Sequence, residues 1–132
     1  MQKITASVNL VLSVLSETFT IHKLSPNLSI PEEILKSNYY SVTKSENELS
    51  VVCSELIEVQ SLHSSKGWKC IKVKGRLDFN LTGILAGISD ILTRGNISIF
   101  AISTFDTDYI LVRSQDLPSA RKKLKKGGYK FE

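Results

Sequence analysis

The sequence predicts an α+β fold of two unequal units, antiparallel sheets with helices on one face. Three observations predict it. The first is an internal repeat: Tyr40 to Glu55 lies over Phe100 to Gln115 without a gap, an offset of sixty residues. Val42 falls on Ile102, Glu46 on Asp106, Glu48 on Asp108, Val51 on Leu111, Val52 on Val112 and Ser54 on Ser114. Both copies read as strand, acidic turn, strand, a β-hairpin with two carboxylates at its tip. The second observation is that the flanks of the downstream copy supply the order strand, helix, strand, strand, helix, strand. The third is that the flanks of the upstream copy keep their strands and lose most of their helices.

Taken in order, Val8–Leu15 is a short apolar stretch behind Lys3. It weakly imitates a secretion signal, but no small-residue cleavage site follows, and Ser16 and Glu17 lead into further strand-like sequence. A structural strand is the better reading. Phe19–Leu24 is a strand, Pro26 and Pro31 bracket a turn, and Pro31–Lys36 allows barely two helical turns. The upstream hairpin spans Asn38–Ser54, and residues 55–65 have only weak helical periodicity, with His63 in a Ser-rich linker. Trp68–Val73 alternates and carries β-branched residues, a strand ended by Gly75. Leu81, Ile84, Leu85, Ile88, Ile91 and Leu92 recur at helical spacing. Asn80 or Asp78 is placed to cap that helix, and Gly95 suits a left-handed residue after it. Gly83 and Gly87 stand four apart, a spacing used by paired membrane helices; in a short amphipathic helix it reads as close packing on a sheet. Ile97–Ser103 and Asp108–Val112 form the downstream hairpin. A second helix starts near Asp116 and Pro118, turns Leu117, Ala120 and Leu124 inward and stops at Gly127. Tyr129–Phe131 closes as a last short strand. A single β-layer with so few helices leaves sheet surface and edges exposed, which a homodimer would cover.

Composition bounds the function. A chain of 132 residues, 42% hydrophobic and 23% charged, buries enough surface to need no metal or disulfide staple. The net charge is +4, of which Arg121, Lys122, Lys123, Lys125 and Lys126 supply five, so the remainder is near neutral. Those cations complement the dipole at the end of their helix, a plainer reading than nucleic-acid contact. Ferredoxin-like sheets bind RNA through aromatic side chains on central strands, and the required motif is missing here. Cys53 and Cys70 stand apart in apolar runs and read as small buried hydrophobes of a reducing, cytoplasmic compartment. No apolar run is long enough to span a membrane.

No catalytic constellation is visible. The nucleophile elbow, the Walker loop and the dinucleotide fingerprint are absent. His22 and His63 each stand alone, His22 as a satisfied structural residue in a strand, and no spacing suggests a metal or another cofactor. A non-enzymatic binding module is expected. Its sharpest candidate site is Ser103-Thr104-Phe105-Asp106-Thr107-Asp108, which gathers hydroxyls, an aromatic ring and two carboxylates: acceptors for an ammonium group and a face for a side chain. Plain turn chemistry accounts for the same residues, since Asp and Thr favour tight turns. The loop Gly75–Asn80 precedes a helix whose free N–H groups suit a carboxylate.

The runs Gly67-Trp68-Lys69-Cys70-Ile71-Lys72-Val73, Leu77-Asp78-Phe79-Asn80-Leu81-Thr82-Gly83 and Ile97 to Val112 resemble the small bacterial ACT-domain proteins related to the animal cytosolic arginine sensors, with a looser match around Leu49–Ser54. The resemblance implies two ferredoxin-like (βαββαβ, ACT-like) units, an abbreviated one over 1–65 and a complete ACT domain over 66–132. It implies amino-acid binding at unit or subunit interfaces. The contacts it implies are Leu77, Asp78 and Phe79 before the helix, Thr104, Phe105 and Asp108 at the strand end beside Asp106, and a contribution from Ser54. The truncated first unit points towards a homodimer. The other reading is a ligand-free dimer that docks another polypeptide.

Overall fold

The structure, a computed structural model, describes residues 10–75 and 82–132. Its elements are β1 (Val11–Leu24), α1 (Glu32–Leu35), β2 (Ser41–Lys44), β3 (Leu49–Ser54), β4 (His63–Val73), α2 (Ile84–Arg94), β5 (Ile99–Ser103), β6 (Asp108–Arg113), α3 (Leu117–Lys126) and β7 (Lys130–Phe131). A 3₁₀ turn, Ser114–Asp116, leads into α3. The chain divides into two compact units: residues 16–68, and residues 1–15 together with 69–132. Strands β1 and β4 each run through both.

In the 16–68 unit the strand order is β2-β3-β1, antiparallel throughout. Leu24 pairs with Leu49 and Phe19 with Ser54 across β1 and β3. The apolar faces close over Leu24, Ile34, Leu49, Val51 and Cys53. Burying each such aliphatic side chain is worth about 1.5–3 kcal/mol. Phe19 and Tyr39 pack edge to face, ring centroids 5.6 Å apart. The expected two-turn helix is a single turn, α1, whose job is to bury Ile34. Residues 55–62 form no helix. Ile57 N–H bonds back to Ser54 O at 3.1 Å, and Leu62 N–H reaches Lys23 O at 2.8 Å, so this segment returns to β1 as a strap. His63 is not in a linker; it opens β4 and is exposed.

In the other unit the order is β1-β4-β6-β5, and β7 pairs with β1. The sequence of elements from β4 to β7 is the predicted strand, helix, strand, strand, helix, strand. The closure is different from a self-contained unit of that kind. The last strand lies parallel to the first residues of β1, with Val11 opposite Lys130 and Leu12 opposite Phe131. Lys74 N–H donates to Val11 O at 2.8 Å. Leu12 is fully buried in a core shared with Ile71, Ile88, Leu92, Ile110 and Leu124.

Helix termini depart from the expected chemistry. Leu81 lies outside the described residues, as do Asp78 and Asn80. The N-cap of α2 is Gly83, at φ 82°, and no side chain caps it. Gly83 is needed because that left-handed backbone is strained for residues with a Cβ. Gly95 has an ordinary φ of −88°, and the left-handed residue is Asn96 at φ 59°. Asp116 sits at the start of α3 but in helical geometry, without a capping bond, because the 3₁₀ turn already holds it. Gly87 does pack closely: a Cβ there would lie 2.9 Å from the Tyr129 hydroxyl.

The hairpins repeat in three dimensions at an offset of 59, not sixty. Each has a four-residue loop closed by the same bond, Ser45 N–H to Glu48 O and Thr104 N–H to Thr107 O, both 2.8 Å. The last rungs are Lys44–Leu49 and Ser103–Asp108. Asp108 therefore corresponds to Leu49, and Thr107 to Glu48, which corrects the pairing of the two acidic tips.

Candidate functional site

The β5–β6 tip is built from local hydrogen bonds. Ile99 pairs with Val112 and Ser103 with Asp108, so the apolar strands set the register and leave four residues to turn. The Thr104 hydroxyl donates to Thr107 O at 3.1 Å and accepts from Thr107 N–H at 3.3 Å. On the last rung the Ser103 hydroxyl donates to Asp108 Oδ1 at 2.6 Å. Asp108 is half-buried, and Thr104 and Asp106 are exposed. The Phe105 ring is 66% exposed, an apolar face at the crest of the loop. Beside the tip, Lys72 of β4 places its ammonium 5.7 Å from the centre of the Tyr109 ring.

Thr107 is different. It is 4% exposed, and its hydroxyl donates to Val73 O, the last carbonyl of β4, at 2.7 Å. The hairpin tip is thereby tied to the exit of β4, two residues before Gly75. Sequence reasoning did not single out Thr107 as a contact maker. Thr is an ordinary turn residue, and its partner is 34 positions away.

Of the other expected site residues, Leu77, Asp78 and Phe79 lie outside the described residues. At the near end of α2 no acidic residue occupies the first turn, and the first amides of a helix have no partner within it. Ser54 belongs to the 16–68 unit, where it is buried at the end of β3 and its hydroxyl accepts Leu56 N–H at 3.2 Å. That contact terminates a strand.

Away from the tip, Cys53, Cys70 and His22 are buried. Burial pushes the Cys53 thiol up to about 11 and the Cys70 thiol to about 12, and both cysteines are free. His22 is only half satisfied. Its Nδ1 lies 2.6 Å from Ser61 Oγ, which itself donates to Val59 O at 3.3 Å, while Nε2 has no partner. Burial, then the Lys66 charge, lowers its pKa below 6.5. A buried imidazole facing a serine through Nδ1, with Nε2 unpartnered, lacks the orienting group of a catalytic pair. No group of three or more His, Cys, Asp or Glu among the described residues is placed to hold a metal, and none of their helices is long and apolar enough to cross a membrane.

Comparison with known proteins agrees with this architecture. Residues 63–126 match the family model of the ACT domain, and residues 17–57 match a second model, that of an N-terminal domain. Residues 63–126 thus carry an ACT domain. The chain belongs to the same family as protein Atu0741 of Agrobacterium tumefaciens, which is 33% identical, with 93% of this chain and 92% of that one covered at a TM-score of 0.85. The fold is also that of Vibrio cholerae VC0802, a protein of unknown function (14% identity, 90% of each chain, TM-score 0.68). It recurs in the allosteric aspartate kinase of Clostridium acetobutylicum (13% identity, 86% of this chain, TM-score 0.64), where it spans 33% of the enzyme. No curated protein sequence matches the chain.

Proposed function

We propose that this protein is a non-catalytic regulatory module of the cytoplasm that binds a free amino acid, or a similar zwitterion, at the β5–β6 tip. In this reading the abbreviated ACT-like unit spans 1–65 and the ACT domain 66–132, related to the arginine-sensor ACT proteins, and the chain works as a homodimer. Asp106 and Asp108 receive the ligand's ammonium, and Thr104 and Phe105 line its side chain. The segment Leu77–Phe79 and the start of α2 receive its carboxylate. One observation carries the reading: the buried Thr107–Val73 bond ties the acidic tip to the strand end from which the pre-helix segment departs. Opposite charges of a zwitterion are then met by two features joined at one strand end.

A ligand that binds only the folded state stabilises it by mass action, about 2.7 kcal/mol at a hundredfold excess over Kd. Screening the twenty amino acids by thermal unfolding at millimolar concentration should therefore give a raised melting temperature for one chemical class, and Asp108→Asn should abolish that rise. Twenty flat responses would remove the reading. A second reading, a ligand-free dimer that docks another polypeptide, has the Ser103–Asp108 bond in its favour, since a carboxylate already held by its neighbour suffices as turn chemistry. It expects no thermal response and a co-purifying partner.

A further inference from the structure

We infer that the chain holds one ligand-competent hairpin rather than two, and that Thr107 is the positioning residue that makes the difference. The inference rests on reading the β5–β6 tip as the ligand site. The two hairpins share loop length and closing bond, so the fold alone offers the same platform twice. Their side chains do not. At the last loop position the downstream hairpin has Thr107, buried and bonded to Val73 O at 2.7 Å; the upstream one has Glu48, which is exposed. At the next position the downstream hairpin has Asp108, held by Ser103; the upstream one has Leu49, which is buried in the core of its unit.

A four-residue turn needs no buried hydroxyl, as residues 45–48 demonstrate. Sinking a hydroxyl costs free energy unless it finds a partner, and Thr107 finds one on another strand. What that bond adds is a fixed distance between the tip and the exit of β4. Thr107 touches no ligand in this scheme. It sets the spacing between the carboxylates and whatever the ligand's other end meets. The upstream hairpin has Glu46 and Glu48 in its loop but neither the tether nor a carboxylate at the position of Asp108.

Titration calorimetry of the intact chain with each of the twenty amino acids should give one site per chain for whichever binds. Thr107→Val keeps the shape and removes the donor; it should raise Kd about tenfold or more, while Thr107→Ser restores binding to within about threefold and Glu48→Val leaves it unchanged. Two sites per chain, or a Thr107→Val affinity equal to wild type, would overturn the inference and leave the ligand reading standing. If no amino acid binds, that reading falls, and hydrogen exchange decides the tether alone. Thr107→Val should then speed exchange at the Thr104 and Thr107 amides about tenfold and leave Ser45 unaffected. Unchanged exchange at residues 104 and 107 would overturn it.

Discussion

At the scale of single residues, His22 shows how a buried ionisable group shapes stability without doing chemistry. It pairs with Val51 across β1 and β3, shares a hydrogen bond with Ser61, and has Lys66 as the charged neighbour that disfavours its protonation. Its folded pKa lies below the ordinary 6.5. Above that value both folded and unfolded forms are neutral and the full stability is present. As pH falls, the unfolded chain takes up the proton first, so stability declines through the window between the unfolded and the lower folded pKa. The melting temperature should therefore fall as pH drops from about 7 to 5, and His22→Gln should flatten part of that slope. An equal slope in wild type and His22→Gln would show that other groups carry the acid sensitivity.

At the scale of elements, the two glycines flanking the first turn of α2 do different work. Gly83 supplies a left-handed N-cap, while Gly87 makes room for the buried Tyr129. Alanine at position 87 gains about 1 kcal/mol of helix propensity but forces a core tyrosine to move, which costs about 1–3 kcal/mol. Gly87→Ala should lower stability by about 1 kcal/mol in chemical denaturation. Gly95→Ala is the contrast: its nearest neighbours are the methylenes of exposed Lys123, which swing away, and the change should be close to neutral. The same elements show what a sequence reveals. Periodicity is local, so β4, α2, β5, β6 and α3 were all legible, as was the stop at Gly127. Register is not local. The ungapped overlay of the two hairpins matches composition at an offset of sixty, but the closing bonds sit at 59, because one residue of slip turns every strand side chain over and the cores of Val51 and Ile110 choose the face. Thr107 was hidden for the same reason. Its hydroxyl belongs to the turn by sequence and to Val73 by fold. The acidic hairpin turn could be read directly, but that Ser54 ends a strand depended on its bond to Leu56.

At the scale of the whole molecule, the compact units are not consecutive pieces of chain. Residues 1–15 belong with 69–132, so the ACT-domain segment borrows a strand from the N-terminus. The borrowed strand matters energetically. Leu12 is fully buried in that core, Val11 and Leu12 are the partners of β7, and Val11 O accepts from Lys74 N–H. Emptying one buried leucine site costs about 2–5 kcal/mol. A single core in a domain of this size rarely supplies more than about 3–5 kcal/mol. Cutting the chain at the linear boundary between residues 65 and 66 thus removes an amount comparable to everything the downstream piece has. A fragment of residues 66–132 should show no cooperative thermal transition and poorly dispersed amide resonances. Adding residues 1–65 as a second chain should restore both, because the strand pairing needs proximity and not a peptide bond. A 66–132 fragment that melts as sharply as the intact protein would show that the packing of β4, β6 and the two helices suffices, and that β1 is only an accessory edge.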